Sequence, residues 1–242
     1  MKELTLRKIA EACHGTVAPE AEPVTVTGVQ SDSRRVRPGD LFVAIKGEKA
    51  DGHDFVAMAA SLGAKAALVA RPVEAPIPTI LVADTIRAYG DLAAAYREHA
   101  GITVIGITGS VGKTTTKEMT ACLLARSFHT ARTEGNHNNN LGLPMTILDM
   151  PDDTEVAVLE MGMNHFGEMA YLTSIARPDI AIITNIGTMH IEHLGSREGI
   201  LQAKLEIFRG VPKNGVGVFN GDEPLLWNVR ADGGHKKYYF GI

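Results

Sequence analysis

The chain has 242 residues, of which 45% are hydrophobic, so it is long enough to bury a sizeable core and to form two ordinary domains. Its net charge of -4 excludes the broad basic surface that nucleic acid or anionic lipid would require. The first residues are amphipathic and charged, and no apolar run approaches the roughly 20 residues that span a bilayer, so neither an export signal nor membrane insertion is expected.

The only two cysteines, Cys13 and Cys122, lie far apart in the sequence and each falls within an apolar helical pattern. Such thiols are usually buried and unpaired. This cysteine usage fits a reducing compartment, and we therefore expect a cytoplasmic protein.

The first part of the chain predicts a small α/β domain over residues 1–83. A helical face formed by Leu6, Ile9 and Cys13 ends at Gly15. Alternating and apolar runs then predict short strands with one helix between them. The strands are expected at 24–29, 41–45, 66–70 and 80–83, and the helix at 54–62.

A good helix over 85–100, rich in alanine, predicts a connector at 84–100. After it, strands and helices alternate regularly. The strands are predicted at 103–107, 156–160, 180–184 and 216–220, and the helices at 113–127, 166–176 and 196–209. This alternation predicts a second α/β domain over 101–242, with a mostly parallel sheet flanked by helices.

The segment TVIGITGSVGKTTTKEM runs from a β-branched strand through a glycine-rich turn into a helix. Backbone N–H groups around Gly109 and Gly112 can surround phosphate oxygens, Lys113 can reach the terminal phosphates, and the Thr114 hydroxyl can bind magnesium. Ile107 stands where the usual phosphate-loop pattern has its first glycine. The alternative is an ordinary glycine-rich turn without a ligand.

The phosphate loop and several other segments resemble those of a known family. TGSVGKTT resembles the ATP loop of the Mur ligases, TG(T/S)xGKT(T/S), and SDSRRVRPGDLFVAIKGEKADGHDF resembles the UDP-binding domain of the later enzymes of that family. GNHNNNLGLP, EMGMNHFGEM and AKLEIF narrow the resemblance to the member that adds D-Ala-D-Ala to UDP-N-acetylmuramoyl-tripeptide. The resemblance implies an ATP-dependent amide ligase of peptidoglycan precursor synthesis, acting as a monomer with ATP, two Mg²⁺ ions and an acyl-phosphate intermediate.

The resemblance also implies that the second domain is incomplete at its carboxy-terminal end, because the family continues into a further Rossmann-like domain. Some adenine contacts and the site of the incoming amine are therefore expected outside this chain. Asn220 is expected near the adenine, although Glu223 departs from the family's N-x-D-[DN] pattern. The full ATP-binding set implied is Thr108, Gly109, Ser110, Val111, Gly112, Lys113, Thr114, Thr115, Asn136, Asn138, Asn139 and Asn220.

The asparagines of that set lie in GNHNNNLGLP, and asparagine clusters commonly form turns without any ligand. The metal ligands have similar alternatives. Glu160 ends an apolar strand, where ligands bind in open α/β sheets, but it could be a solvent-exposed acid. The resemblance implies that Thr114, Glu160, His190 and Lys204 hold magnesium. His190 and His193 could instead be surface histidines or a zinc pair, although no further ligand lies nearby in sequence.

Lys204 falls in an apolar stripe formed with Leu201, Leu205 and Phe208 at helical spacing. Burial lowers the pKa of a lysine, and the neutral amine can capture carbon dioxide as a carbamate that offers oxygen ligands to magnesium. The alternative is a lysine whose stem is packed while its ammonium reaches solvent. Lys113, Glu160, His190 and Lys204 make up the expected catalytic set.

Two polar loops of the first domain resemble the family's uridine-diphosphate contacts. Arg34 could meet a phosphate bidentately, with Asp32 orienting it, but either loop could also be solvated surface. The residues concerned are Ser31, Asp32, Ser33, Arg34, Lys46, Gly47, Asp51, Gly52 and His53.

Two other functions remain open at this point. The preceding Mur ligase, which adds the diamino acid, shares the SDSR segment and the phosphate loop. A non-catalytic nucleotide-binding module is the alternative of another class. A switch GTPase would need N-K-x-D, which the sequence lacks, and folate-type ligases lack the first domain.

Overall fold

The computed structural model describes residues 1–229 and 234–242, and it divides into two compact units. The first unit comprises Met1–Tyr96 with Ile147–Asp152, and the second comprises Arg97–Thr146 with Asp153–Ile242. Among the described residues, no helix is both long and apolar enough to cross a bilayer.

The first unit is built on a parallel sheet of four strands in the order β3-β4-β5-β6, beside an antiparallel pair of β1 and β2. Its regular elements are β1 (Leu4–Thr5), α1 (Leu6–Ala12), β2 (Thr25–Val26), β3 (Gly28–Gln30), β4 (Asp40–Val43), α2 (Val56–Ser61), β5 (Ala66–Val69) and β6 (Thr79–Leu81). Tight 3₁₀ turns at Ser33–Arg35 and Gly52–Phe55 precede β4 and α2. The predicted α/β character is therefore confirmed for this unit.

The prediction of one strand over 24–29 is wrong. The run breaks at Thr27, whose N–H donates to the Gly39 carbonyl at 3.0 Å. Val26 then pairs with Leu4 in one sheet, whereas Gly28 pairs with Asp40 in the other. A run rich in β-branched residues indicates extended backbone but does not tell which partner strand it takes.

The second unit contains the predicted alternation of strands and helices. The helix predicted over 85–100 is α3 (Thr85–Ala100), which the division between the units cuts after Tyr96. The elements that follow are β7 (Thr103–Thr108), α4 (Lys113–Leu124), β8 (Thr130–Arg132), α5 (Gly142–Leu148), β9 (Val156–Glu160), α6 (Glu168–Ala176), β10 (Ile180–Ile183), α7 (Ile191–Leu194), α8 (Arg197–Leu205), β11 (Val216–Asn220), α9 (Pro224–Trp227) and β12 (Lys236–Phe240). The short elements β8, α5, α7 and α9 were not predicted, and α8 passes into a 3₁₀ turn at Glu206–Arg209 instead of remaining α-helical.

The strand order β12-β11-β10-β7-β9-β8 is parallel throughout, so the carboxyl ends of all six strands lie along one edge. From β7 the chain continues toward β8 and β9, and from β10 it continues toward β11 on the opposite side. The sheet therefore has its switch point between β7 and β10, where α/β proteins bind ligands.

Candidate active site

The phosphate loop lies at this switch point, between the end of β7 and the start of α4. It is held by the residues after β10, because the Ser110 N–H donates to the Asn185 carbonyl at 3.0 Å and the Thr184 hydroxyl donates to the Val111 carbonyl at 2.6 Å. A side chain at Gly109 would overlap the Thr184 hydroxyl, so the loop needs glycine there. Gly112 begins α4 with φ of 81° and no side chain caps the helix. The first amides of α4 are therefore free to bind an anion.

Lys113 folds back over this loop. Its Nζ donates to the Gly109 carbonyl at 2.9 Å, and the Ser110 carbonyl lies 3.5 Å away. Burial lowers the pKa of Lys113, and the nearby negative charge of Glu160 opposes that shift. The ammonium thus lies over the loop, within reach of phosphates that the loop amides would hold.

Glu160, at the end of β9, is held by three hydrogen bonds. Its Oε2 accepts from the Thr114 hydroxyl at 2.9 Å, its Oε1 accepts from Asn138 Nδ2 at 2.9 Å, and its N–H donates to Thr133 Oγ1 at 2.9 Å. The residue is only 2% exposed, which rules out the alternative of a solvent-exposed acid at a strand end. A carboxylate beside a phosphate-loop threonine hydroxyl offers the hard oxygen ligands that Mg²⁺ prefers.

The three predicted asparagines have different environments. Asn138 bonds to Glu160, whereas Asn139 Oδ1 accepts from the N–H groups of Leu141 and Gly142 and so begins α5. Asn136 lies in the exposed turn before them, where its carbonyl accepts from the Asn138 N–H at 2.7 Å. Asn138 and Asn139 both line the cavity described below, so the helix-starting contacts of Asn139 do not remove it from the site, and the nucleotide contacts of all three asparagines remain predictions.

A cavity of about 670 Å³ opens beside the phosphate loop within the second unit. Several predicted site residues line it together with residues 162–164 and 166–168. These predicted residues are Gly109, Ser110, Lys113, Asn138, Asn139, His190 and Lys204. Asn140 also lines it, although the sequence did not single that residue out. The volume is in the range of small-molecule sites.

Lys204 is buried in this cavity wall, with 3% of its surface exposed. Burial, and secondarily the charge of Lys113, lowers its pKa from 10.5 to about 7. The buried face of α8 and the following turn is Ile200, Ala203, Lys204 and Ile207, so the predicted stripe was one residue out of phase although it did contain Lys204. This burial favours a desolvated amine over an ammonium that reaches bulk solvent.

The buried lysine predicts a pH-dependent stability in protein freed of carbon dioxide. The folded state releases the proton of Lys204 near pH 7 and the unfolded state only near 10.5, so the unfolded state binds more protons between these values. The free energy of unfolding should rise with pH across that window relative to Lys204→Met. Denaturant titrations of both proteins at pH about 6.5 and about 9.5 measure this, and a difference that does not change with pH would contradict it.

His190 lines the cavity, and its backbone takes a left-handed conformation with φ of 64° at the start of α7. His193 is exposed and lies against the ring of His165, with the two ring centroids 4.3 Å apart. Among the described residues, no group of three or more histidine, cysteine or acidic side chains is arranged to hold a metal ion, so the zinc alternative has no support. Cys122 is exposed on α4, which corrects the prediction of a buried thiol there, whereas Cys13 is buried as predicted.

Asn220, at the end of β11, is turned toward the protein. Its Nδ2 donates to the Thr184 carbonyl at 3.1 Å and its Oδ1 accepts from the Asp222 N–H at 2.9 Å. Glu223 is buried and pairs with Arg197 at 2.8 Å. The departure of Glu223 from the family pattern therefore coincides with an internal ion pair.

The first unit holds the two polar loops. Asp32 accepts from Nε and Nη2 of Arg34 at 2.9 and 2.8 Å, and this pairing holds the pKa of Asp32 at about 2. These two hydrogen bonds orient the Arg34 guanidinium. Arg34 is exposed, so it remains accessible to a ligand. In the second loop, His53 is buried, with Nδ1 2.6 Å from Asp51 and Nε2 accepting from the Ala70 N–H. His53 therefore supports the loop from inside.

The two ends of that second loop lie side by side. They consist of Lys46 and Gly47 on one side and Asp51 and Gly52 on the other. Lys46 is exposed and its backbone forms an isolated antiparallel β-bridge with Asp51, and the Gly47 N–H donates to the Ala50 carbonyl at 2.9 Å. A side chain at Gly52 would meet the backbone of Ile45. Ser31 and Ser33 flank Asp32 and are partly exposed.

Comparison with family models decides the family. Residues 107–242 match the model of the Mur ligase middle domain, and residues 25–108 match the model described as Mur ligase family, catalytic domain. The chain belongs to the Mur ligase family. The resemblance drawn from TGSVGKTT and SDSR is thereby confirmed.

Similar proteins extend this assignment. The UDP-N-acetylmuramoyl-tripeptide--D-alanyl-D-alanine ligase of Bacillus subtilis is 48% identical over 233 residues, which cover 95% of this chain and 51% of that protein. A crystal structure of MurF from Acinetobacter baumannii superposes with a TM-score of 0.92 at 40% identity, covering 100% of this chain and 54% of that one. MurF ligase from Thermotoga maritima in complex with ADP gives 0.82 at 36% identity, covering 89% and 50%. The chain thus spans about half the length of the relatives it matches.

The sequence did not indicate two threonines that hold the site. Thr184 fixes the phosphate loop and Thr133 fixes the backbone of Glu160. Each comes directly after a parallel strand that neighbours a site-bearing strand, β10 beside β7 and β8 beside β9. The strand order, had it been known, would have pointed to both.

Proposed function

We propose that the protein carrying this chain is a Mur ligase that joins D-Ala-D-Ala to UDP-N-acetylmuramoyl-tripeptide, with cleavage of ATP to ADP and phosphate. The observation that supports it most is the grouping of Lys113, Thr114 and Glu160 at one phosphate loop, with Lys204 in the wall of the adjoining cavity. The names of the similar ligases support the choice of substrates.

In this proposal, the terminal carboxylate of the tripeptide attacks the γ-phosphorus of ATP, and ADP leaves. The amine of D-Ala-D-Ala then attacks the acyl carbon, phosphate leaves, and the amine loses a proton. Two anions must approach in the first step. Lys113 and the free amides of α4 offset that repulsion and stabilise the charge on the transferring phosphoryl group.

Thr114 and Glu160 are the residues that fit a magnesium ion best, because their oxygens already lie 2.9 Å apart. His190 and a carbamate on Lys204 are proposed as ligands of a second ion. Bound magnesium would supply positive charge against the phosphates. In the first unit, Arg34 is proposed to bind the uridine diphosphate, with Asp32 holding its guanidinium in position. Cytoplasmic location and a monomeric state remain predictions.

Product analysis on the protein expressed from its complete coding sequence tests the proposal. ADP release and a UDP-pentapeptide product are expected only when ATP, magnesium, UDP-tripeptide and D-Ala-D-Ala are all present. Turnover with UDP-dipeptide and a diamino acid would instead indicate the preceding ligase of the family. Nucleotide binding without any amide product would indicate a non-catalytic module.

A further inference from the structure

Lys117 is a fully buried lysine that the proposed chemistry does not use. It lies one helical turn after Lys113 on α4, and only 1% of its side chain is exposed. Its Nζ donates to the Thr133 carbonyl at 2.7 Å and lies 3.0 Å from Glu118 Oε1. Glu118 itself is half-exposed and also pairs with Arg132 at 2.9 Å.

A buried ammonium is costly because it loses its hydration, and replacement of a buried ion pair by an apolar residue of similar size is often neutral or stabilising. The ion pair with Glu118 is therefore a weak reason for a lysine here. The carbonyl that Lys117 binds is the more informative contact, since it belongs to a residue that is itself tied to the site.

Thr133 is completely buried, and its N–H, its hydroxyl oxygen and its carbonyl each form a hydrogen bond. Its N–H donates to the Val158 carbonyl at 3.1 Å, its Oγ1 accepts from the Glu160 N–H at 2.9 Å, and its carbonyl accepts from Lys117. It lies directly between β8 and the loop that carries Asn138. That loop returns to Glu160 through Asn138 Nδ2 and to Gly162 through the Asn138 carbonyl, both at 2.9 Å.

We propose that Lys117 is a positioning residue, which fixes the carboxylate of Glu160 and the Asn138 loop relative to the phosphate loop through the Thr133 carbonyl. Lys113 and Lys117 share one helix, so the group that meets phosphate and the group that anchors the carboxylate are placed by the same rigid element. The functional consequence rests on the proposed function, but the anchoring itself is independent of it.

The test uses the protein expressed from its complete coding sequence and two kinds of measurement. Lys117→Met keeps an unbranched apolar stem that is one atom shorter and cannot donate, and Thr133→Val keeps the shape but loses the oxygen that accepts from Glu160. Hydrogen–deuterium exchange of peptides covering 133–140 and 158–163 should become about 10-fold faster in both, because local opening there loses an anchor. The thermal midpoint of Lys117→Met should stay the same or rise.

Kinetics should show a lower kcat, by about 10-fold or more, and a higher half-saturating magnesium concentration, with KM for UDP-tripeptide unchanged. The two substitutions should be non-additive in the double variant, because they remove one connected set of contacts. Thr133→Ser, which keeps the oxygen, should restore the exchange rates. Glu118→Gln is the matched control, since it removes only the charge of the half-exposed partner, and it should behave like the parent protein.

Unchanged exchange and unchanged magnesium dependence in Lys117→Met would overturn the proposal, as would an effect of Glu118→Gln equal to that of Lys117→Met. If Lys117→Met does not fold, the exchange rates of Thr133→Val and Thr133→Ser are compared instead. Equal rates would show that Thr133 does not hold Glu160, which is the contact through which Lys117 is proposed to act, and would overturn the proposal. Faster exchange in a protein without ligase activity would support the anchoring while contradicting the proposed function.

Discussion

Replacing Lys113 by alanine is expected to lower the rate of amide formation by about 10²- to 10³-fold while leaving the fold intact. The hydrogen bonds of its Nζ go to carbonyls of its own loop, at Gly109 and Ser110, and Lys113 is not one of the buried core residues, so the fold should survive its loss. What is lost is a positive charge that offsets the repulsion between the attacking carboxylate and the phosphates.

Steady-state ADP release with saturating UDP-tripeptide and D-Ala-D-Ala measures this effect, and a thermal melt of the same samples reports the fold. Lys213→Ala serves as the matched control, because Lys213 is exposed and lies outside the cavity lining. A Lys113→Ala protein with a near-normal rate and an unchanged melting temperature would refute the role assigned to this lysine.

The parts of the fold that the sequence predicted well are those with strong local signals. The helix Thr85–Ala100 and the strands Val156–Glu160 and Val216–Asn220 have the predicted bounds. A long amphipathic run or a buried apolar run followed by a polar residue leaves few alternatives. The same holds for the phosphate loop, where glycine spacing and the lysine are themselves the structure-forming features.

Other features depend on contacts that are distant in sequence. The strands Thr25–Val26 and Gly28–Gln30 join different sheets, and Thr130–Arg132 is too short to be recognised without its neighbour Val156–Glu160. Cys122 shows the same limit, because an apolar helical pattern does not tell how much of α4 the sheet covers. Helix phase is similarly sensitive, which is why the stripe around Lys204 was displaced by one residue.

The candidate site shows how far residue types alone can lead. From the sequence, all polar residues of a loop are candidates for ligand binding. In the structure, hydrogen bonds within the protein already engage some of them and leave others accessible. Asn138 faces Glu160 whereas Asn139 begins a helix, and Arg34 is held outward whereas His53 is satisfied internally. Only the packed neighbours decide which polar group is left for a ligand.

The second large effect on turnover is expected from replacing Lys204. With a pKa near 7, a substantial fraction of its amine is neutral at physiological pH, and the neutral nitrogen can add to the carbon of CO₂ and release one proton to solvent. The resulting carbamate would replace a buried cation beside Lys113 by an anion, which converts a repulsion into an attraction. It would also put oxygen ligands at the position of the Lys204 nitrogen in the cavity wall.

Lys204→Ala is therefore expected to lower turnover by about 10²-fold or more, the size of effect seen when one preorganised charge is removed. A short carboxylic acid such as acetate or propionate should restore part of the rate, because its carboxylate can occupy the space that the carbamate vacates. The parent protein and Lys213→Ala should show no such gain with the same acid. Loss of turnover without any rescue, together with a crystal structure grown in bicarbonate that shows an unmodified Lys204 ammonium, would contradict the carbamate and leave Lys204 as a buried amine.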